Sequence, residues 1–77
     1  MEPVNVAARF EQDGRIFPLH FTWHGRDYPV ITVGRTWQDE TGRHILVMTP
    51  GDKVVELIFR ADQGRWYLRQ PGGATFA

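Results

Sequence analysis

An all-β fold, with about six antiparallel strands in a meander curled into an open roll or SH3-like barrel, is predicted by three features of the 77-residue sequence. Turn formers recur at short, even intervals: Asp13-Gly14, His24-Gly25, Thr41-Gly42, Pro50-Gly51-Asp52 and Asp62-Gln63-Gly64. The runs between them are rich in Val, Ile, Phe, Tyr, Trp and Thr, residues that suit a pleated, half-buried surface. No window carries a sustained helical repeat of apolar positions.

The first predicted strand is about Val4–Glu11, with Val4, Val6, Ala8 and Phe10 on one face. The second, about Arg15–Trp23, alternates Phe17, Leu19, Phe21 and Trp23 with Pro18, His20 and Thr22. That period of two fixes its inward face. The third runs from Tyr28 to Trp37, and Gly34 inside it marks a bend or bulge. Pro29 has no N–H to give a ladder, so it belongs at an edge or beside a bulge. The fourth strand is Arg43–Met48, and the fifth is Val54–Arg60 with Val55, Leu57 and Phe59 inward. The sixth is Arg65–Arg69, with Trp66 and Leu68 inward. Residues 1–70 form one β domain, and 71–77, made of turn formers without a pattern, form a flexible C-terminal tail.

The third to fifth strands carry apolar residues on both faces, as in Ile45-Leu46-Val47-Met48. A flat sheet wetted on one side does not need that. Either the sheet curls, or one face meets a partner. Between Trp23 and Tyr28, Gly25 supplies the positive φ of a tight hairpin, and the two aromatic rings face each other across it.

Composition narrows function. Nine basic and nine acidic residues cancel, leaving no global field to draw in nucleic acid or an anionic membrane. The halves differ slightly, with four Arg against six acids in 1–40 and five bases against three acids in 41–77. No cysteine is present, which excludes disulfides and thiolate chemistry. No apolar leader and no run of roughly 20 apolar residues is visible, and the expected location is the cytoplasm.

Serine is absent as well, so a Ser or Cys triad cannot be built and the chain is expected not to be an enzyme. No cofactor is implied. His20, His24 and His44 are the three histidines. On one extended strand His20 and His24 stand roughly 13 Å apart, too far for one metal. No metal site is expected, and His20 and His44 are assigned to the wet face.

The C-terminal run Gly64-Arg65-Trp66-Tyr67-Leu68-Arg69-Gln70 interleaves cations and aromatics. With Trp66 and Leu68 inward, Arg65, Tyr67 and Arg69 share the outer face and Arg60 joins them. Arg26 and Trp37 add to the candidate binding surface. Small β-barrels bind single strands with such faces, but Arg stems over apolar surface give the same pattern.

The arrangement Phe21-x-Trp23-x-Gly25-Arg26-x-Tyr28-x-Val30-x-x-Val33-x-x-x-Trp37, then Glu56-Leu57-x-Phe59, then Gly64-x-Trp66-x-Leu68, resembles a small bacterial domain family of unknown function, DUF6504. Members occur as short stand-alone proteins or at the end of Y-family polymerase-like proteins of error-prone repair. The resemblance covers roughly residues 15–70 and rests on core aromatics and turn glycines. It implies an accessory role near DNA repair and carries over no catalytic residues. The expectation is a non-enzymatic binding or adaptor module. Its favoured partner is a protein, a second copy included, and the alternative is weak, non-sequence-specific nucleic-acid binding.

Overall fold

Turn chemistry and apolar alternation together build one antiparallel sheet. A computed structural model describes residues 1–70, and the predicted tail lies outside the described residues. The strands are β1 (Glu2–Phe10), β2 (Ile16–Trp23), β3 (Arg26–Pro29), β4 (Thr32–Asp39), β5 (Gly42–Thr49), β6 (Lys53–Arg60) and β7 (Arg65–Arg69). They lie in the order β3-β2-β1-β7-β6-β5-β4, and the sheet curls into an open half-barrel. Four of the five turn signals sit between two strands, and the fifth, Thr41-Gly42, runs from the β4–β5 turn into the first residue of β5. His24 and Gly25 form the β2–β3 turn with φ of 51° and 76°, the left-handed pair that a two-residue hairpin requires. At Gly42 an added Cβ would stand 2.6 Å from the Phe59 carbonyl oxygen, so β5 can approach β6 there only as glycine.

Two bent segments curl the sheet. β1 divides its pairing: Glu2, Pro3 and Val4 pair with β7, whereas Asn5 to Phe10 pair with β2. The sixth predicted strand therefore closes onto the first. The predicted third strand divides the same way. Its first part pairs with β2 as β3, and its second part pairs with β5 as β4. At the corner between them Val30 N–H donates to Leu19 O and Ile31 N–H donates to Met48 O. The two ends of the strand order thus meet at this corner and diverge beyond it. Seven strands replace about six because this one long strand changes partners.

Two bulges modify the alternation. Ala7 pairs with His20 and Ala8 with Pro18, which leaves Leu19 as the extra residue of β2. Parity reverses there. Phe21 and Trp23 point inward as predicted, but Pro18 is buried and Leu19 is 49% exposed. The inward assignment of Phe17 and Leu19 is corrected accordingly: Phe17 lies beneath the guanidinium groups of Arg9 and Arg15, 5.1 and 5.5 Å from its ring centre. In β4, Gly34 and Arg35 together oppose Leu46, which is the irregularity that the glycine signalled.

The inner face holds the core. Val4, Phe21, Ile45, Val47, Val55, Leu57, Trp66 and Leu68 are buried together, with Val6, Ala8, Ile16, Trp23, Tyr28, Val33 and Phe59 packed against them. The predicted inward residues of β6 and β7 are all in this group. Tyr28 stacks on Phe21 with ring centres 5.2 Å apart, and lies 6.0 Å from Trp23.

Candidate functional site

The outer face of β4–β7 carries a polar cluster in which hydrogen bonds link Asp39, His44, Glu56 and Arg69. Registers place Trp37, His44, Ile58 and Tyr67 in one row across four strands. Leu46, Glu56 and Arg69 form the next row, and Arg60 pairs with Arg65 on the same face. Five of the six candidate residues, Trp37, Arg60, Arg65, Tyr67 and Arg69, therefore share a surface. Arg26 does not. It starts β3, at the far end of the strand order.

His44 sits at the centre of the cluster with 3% of its side chain exposed. Its assignment to the wet face is half right: it points outward, but Trp37 stacks flat on it, ring centres 5.0 Å apart and 7° from parallel. Its Nδ1 shares a hydrogen bond with Glu56 Oε2, and its Nε2 lies 2.9 Å from Asp39 Oδ1. Glu56 is itself buried, and takes two hydrogen bonds from Arg69 Nη2 at 2.9 and 3.1 Å. A carboxylate among Val54, Val55, Leu57 and Ile58 is costly unless every oxygen has a donor. His44 and Arg69 supply those donors. His20, by contrast, is exposed as expected.

The cluster has the outline of a hydroxyl–imidazole–carboxylate relay, since Thr41 Oγ1 is 2.8 Å from His44 Nε2. Proton accounting argues against that use. The Thr41 hydroxyl donates to Asp39 Oδ1, the same oxygen that faces His44 Nε2. His44 Nε2 therefore faces an oxygen that already takes the hydroxyl proton, and Nδ1 faces Glu56, so the hydroxyl is directed to Asp39 and not to the ring. The network orders the β4–β5 turn. The Thr41 hydroxyl and backbone N–H, then His44, hold the Asp39 carboxyl down to about 2 from its ordinary 3.8.

Elsewhere, the Trp23 indole N–H donates to Glu2 Oε2 at 2.6 Å and lowers that carboxyl, with His24 adding to it. The Arg15 backbone N–H lowers Asp13. Among the described residues no group of three or more His, Asp or Glu side chains is arranged to hold a metal. No helix is long and apolar enough to cross a membrane.

Partners already occupy much of the cationic face. Arg69 is held by Glu56. Arg60 reaches Asp62 at 3.3 Å, while its Nε is buried without a partner among the described residues. The Tyr67 hydroxyl donates to Gln63. Arg65 is exposed at the rim of an open groove of about 650 Å³ between the β2–β3 and β6–β7 turns, with Asn5, Thr22, Gly25 and Gly64 along it.

Among the described residues the large exposed apolar side chains are Met1, Phe10, which leans on Phe59, Leu19 and Ile31. Leu19, at the β2 bulge, is 49% exposed and Ile31 is 61% exposed. Both flank the corner where Val30 and Ile31 join the two halves of the sheet. Sequence reading placed Leu19 inside and did not single out Ile31. Glu56, which the sequence shows only within the Glu56-Leu57-x-Phe59 motif, is a lone carboxylate in an apolar strand, and that isolation signals a buried partner.

The chain matches no family model, and no curated protein or solved structure matches it at a significant level.

Proposed function

We propose that the chain is a non-enzymatic interaction module of the cytoplasm that docks a protein partner at the Leu19–Ile31 corner. The observation that carries this reading is the pair of large aliphatic side chains, 49% and 61% exposed, on either side of one short bridge. A rigid backbone supports the corner, because Val30 and Ile31 are hydrogen-bonded to different strands. Apolar anchors on an ordered scaffold suit protein recognition. The resemblance to DUF6504 adds the setting, a partner working near DNA repair.

The test is quantitative affinity enrichment with the wild-type chain and a Leu19→Asp/Ile31→Asp variant whose fold is checked by amide NMR. A partner held by the wild type and lost from the folded variant supports the reading. Equal retention by both overturns the corner as the docking site.

Nucleic-acid binding is favoured only by the common face of Arg60, Arg65, Tyr67 and Arg69. The carboxylates on Arg60 and Arg69 weaken it, because phosphate would have to displace them. An amide-shift titration with short single-stranded and duplex DNA at low salt tests it. Shifts on β6 and β7 that fade with salt would promote this reading, and none would remove it.

A further inference from the structure

We infer that β4 pairs with β4 of a second copy, antiparallel about a two-fold axis at Trp37. The inference rests on the reading of the chain as a protein-interaction module and names one of its partners.

Both terminal strands of the sheet order have a neighbour on one side only among the described residues. They differ in how they are protected. β3 is four residues long and ends in Pro29, a short, blunted edge. β4 is eight residues long and has neither Pro nor Lys. Its irregularity lies between Val33 and Thr36, and from Thr36 to Asp39 its register with β5 is regular. The far half of β4, Thr36 to Asp39, is therefore regular and open to strand addition, with Arg35 beside it at the end of the irregularity.

Charge chooses the partner and the register. Trp37 and Asp39 lie on the outer face, and the Arg35 guanidinium rests over the Trp37 ring, 5.1 Å from its centre. Residues opposite each other in an antiparallel pair share a face, so a two-fold pairing must join positions of equal parity. With the axis at Thr36, Arg35 meets Trp37 and its charge is left alone. With the axis at Arg35, two arginines meet. With the axis at Trp37, each Arg35 meets the partner's Asp39 and the two Trp37 rings meet at the centre. Only this last register joins both charges to opposite signs.

Both groups have capacity for the contact. Arg35 has no carboxylate partner among the described residues, where every recorded ion pair involves another cation. Asp39 is 47% exposed, and its recorded hydrogen bonds all use Oδ1. The second oxygen remains for an arginine. On the other face Thr36 meets Gln38 of the second copy, a neutral polar pair.

A ladder of about five residues buries less than a standard interface, so the dimer is weak and concentration-dependent. Sedimentation equilibrium of the full chain, from about 10 µM to about 1 mM at low salt, suits that range. The expected result is a dimer that Arg35→Glu weakens at least tenfold, because two acids then face each other twice. Arg26→Glu, the same charge change on the β3 edge, should leave it intact. If Arg35→Glu fails to fold, Arg35→Gln removes the attraction alone and should weaken the dimer less steeply. A monomer at all concentrations overturns the pairing but leaves the corner, tested with other proteins, untouched. A dimer that ignores Arg35→Glu but is lost on Ile31→Asp also overturns it, and assigns the second copy to the corner.

Discussion

Leu57 and Ile58 are neighbours in β6, both with no exposed surface, and they lie on opposite faces of the sheet. Leu57 belongs to the inner cluster, where apolar side chains from five strands enclose one another. Ile58 lies outside that cluster, between His44 and Tyr67 on the outer face. The inner face is buried by curvature. The outer face is buried by its own long side chains, with Trp37 lying over His44 and Arg69 reaching across Glu56. Apolar residues on both faces of β5 and β6 therefore need no partner chain to cover them. The surface left for a partner is elsewhere, at Leu19, Ile31 and the β4 edge.

This comparison is tested most directly by truncating each neighbour. Leu57→Ala and Ile58→Ala should each cost about 2–5 kcal/mol in denaturant unfolding, as large cavities in well-packed sites do. Equal costs would make the outer layer a second core. A cost under about 1 kcal/mol for Ile58→Ala would mean that the outer side chains relax into the gap and the layer is only a cover.

The two faces also differ in how well the sequence announced them. Period-two alternation located the inner face of β1, β6 and β7, because burial on one side leaves that pattern. It failed within β2. A bulge adds one residue and reverses parity, and Pro18 was the available signal beside it, because a proline has no N–H for a ladder. The strand that became β3 and β4 reads as one extended run because it is one. Its change of partner depends on distant residues, Leu19 and Met48, whose positions no local pattern gives. The shared face of Arg60, Arg65, Tyr67 and Arg69 was legible from alternation alone. That Arg69 is tied to Glu56 was not, since the contact spans 13 residues of sequence. Isolation of Glu56 among apolar neighbours was the available signal, through the cost of burying a bare charge.

The polar part of the outer face should respond next most strongly. Glu56→Gln keeps the shape but sets an amide N–H₂ against the donors of His44 or Arg69, and should cost about 1–3 kcal/mol. A loss under about 0.5 kcal/mol would mean that water replaces the carboxylate and the layer is looser than its exposure suggests. Trp37→Ala removes the cover over His44 and should cost about 0.5–1.5 kcal/mol beyond its area term. No loss would detach Trp37 from the layer and leave it purely an edge residue.

The smallest effect is read in acid. The folded Asp39 carboxyl titrates at about 2 against an ordinary 3.8, because Thr41 and His44 stabilise its ionised form. A depressed folded value means that Asp39 stabilises the fold above roughly pH 4, and that this contribution disappears as pH falls through 4 toward 2. Asp13 and Glu2 are shifted in the same direction by Arg15 and Trp23, so the whole chain loses stability on acidification. Asp39→Asn should lower stability at neutral pH and flatten the dependence between about pH 4 and pH 2 without removing it. Unfolding midpoints of the two chains would then converge in acid. Parallel curves would mean that the β4–β5 turn holds its shape without the charge. In that case the outer layer would depend on Glu56 and Arg69 alone, and Asp39 would keep both oxygens for a partner.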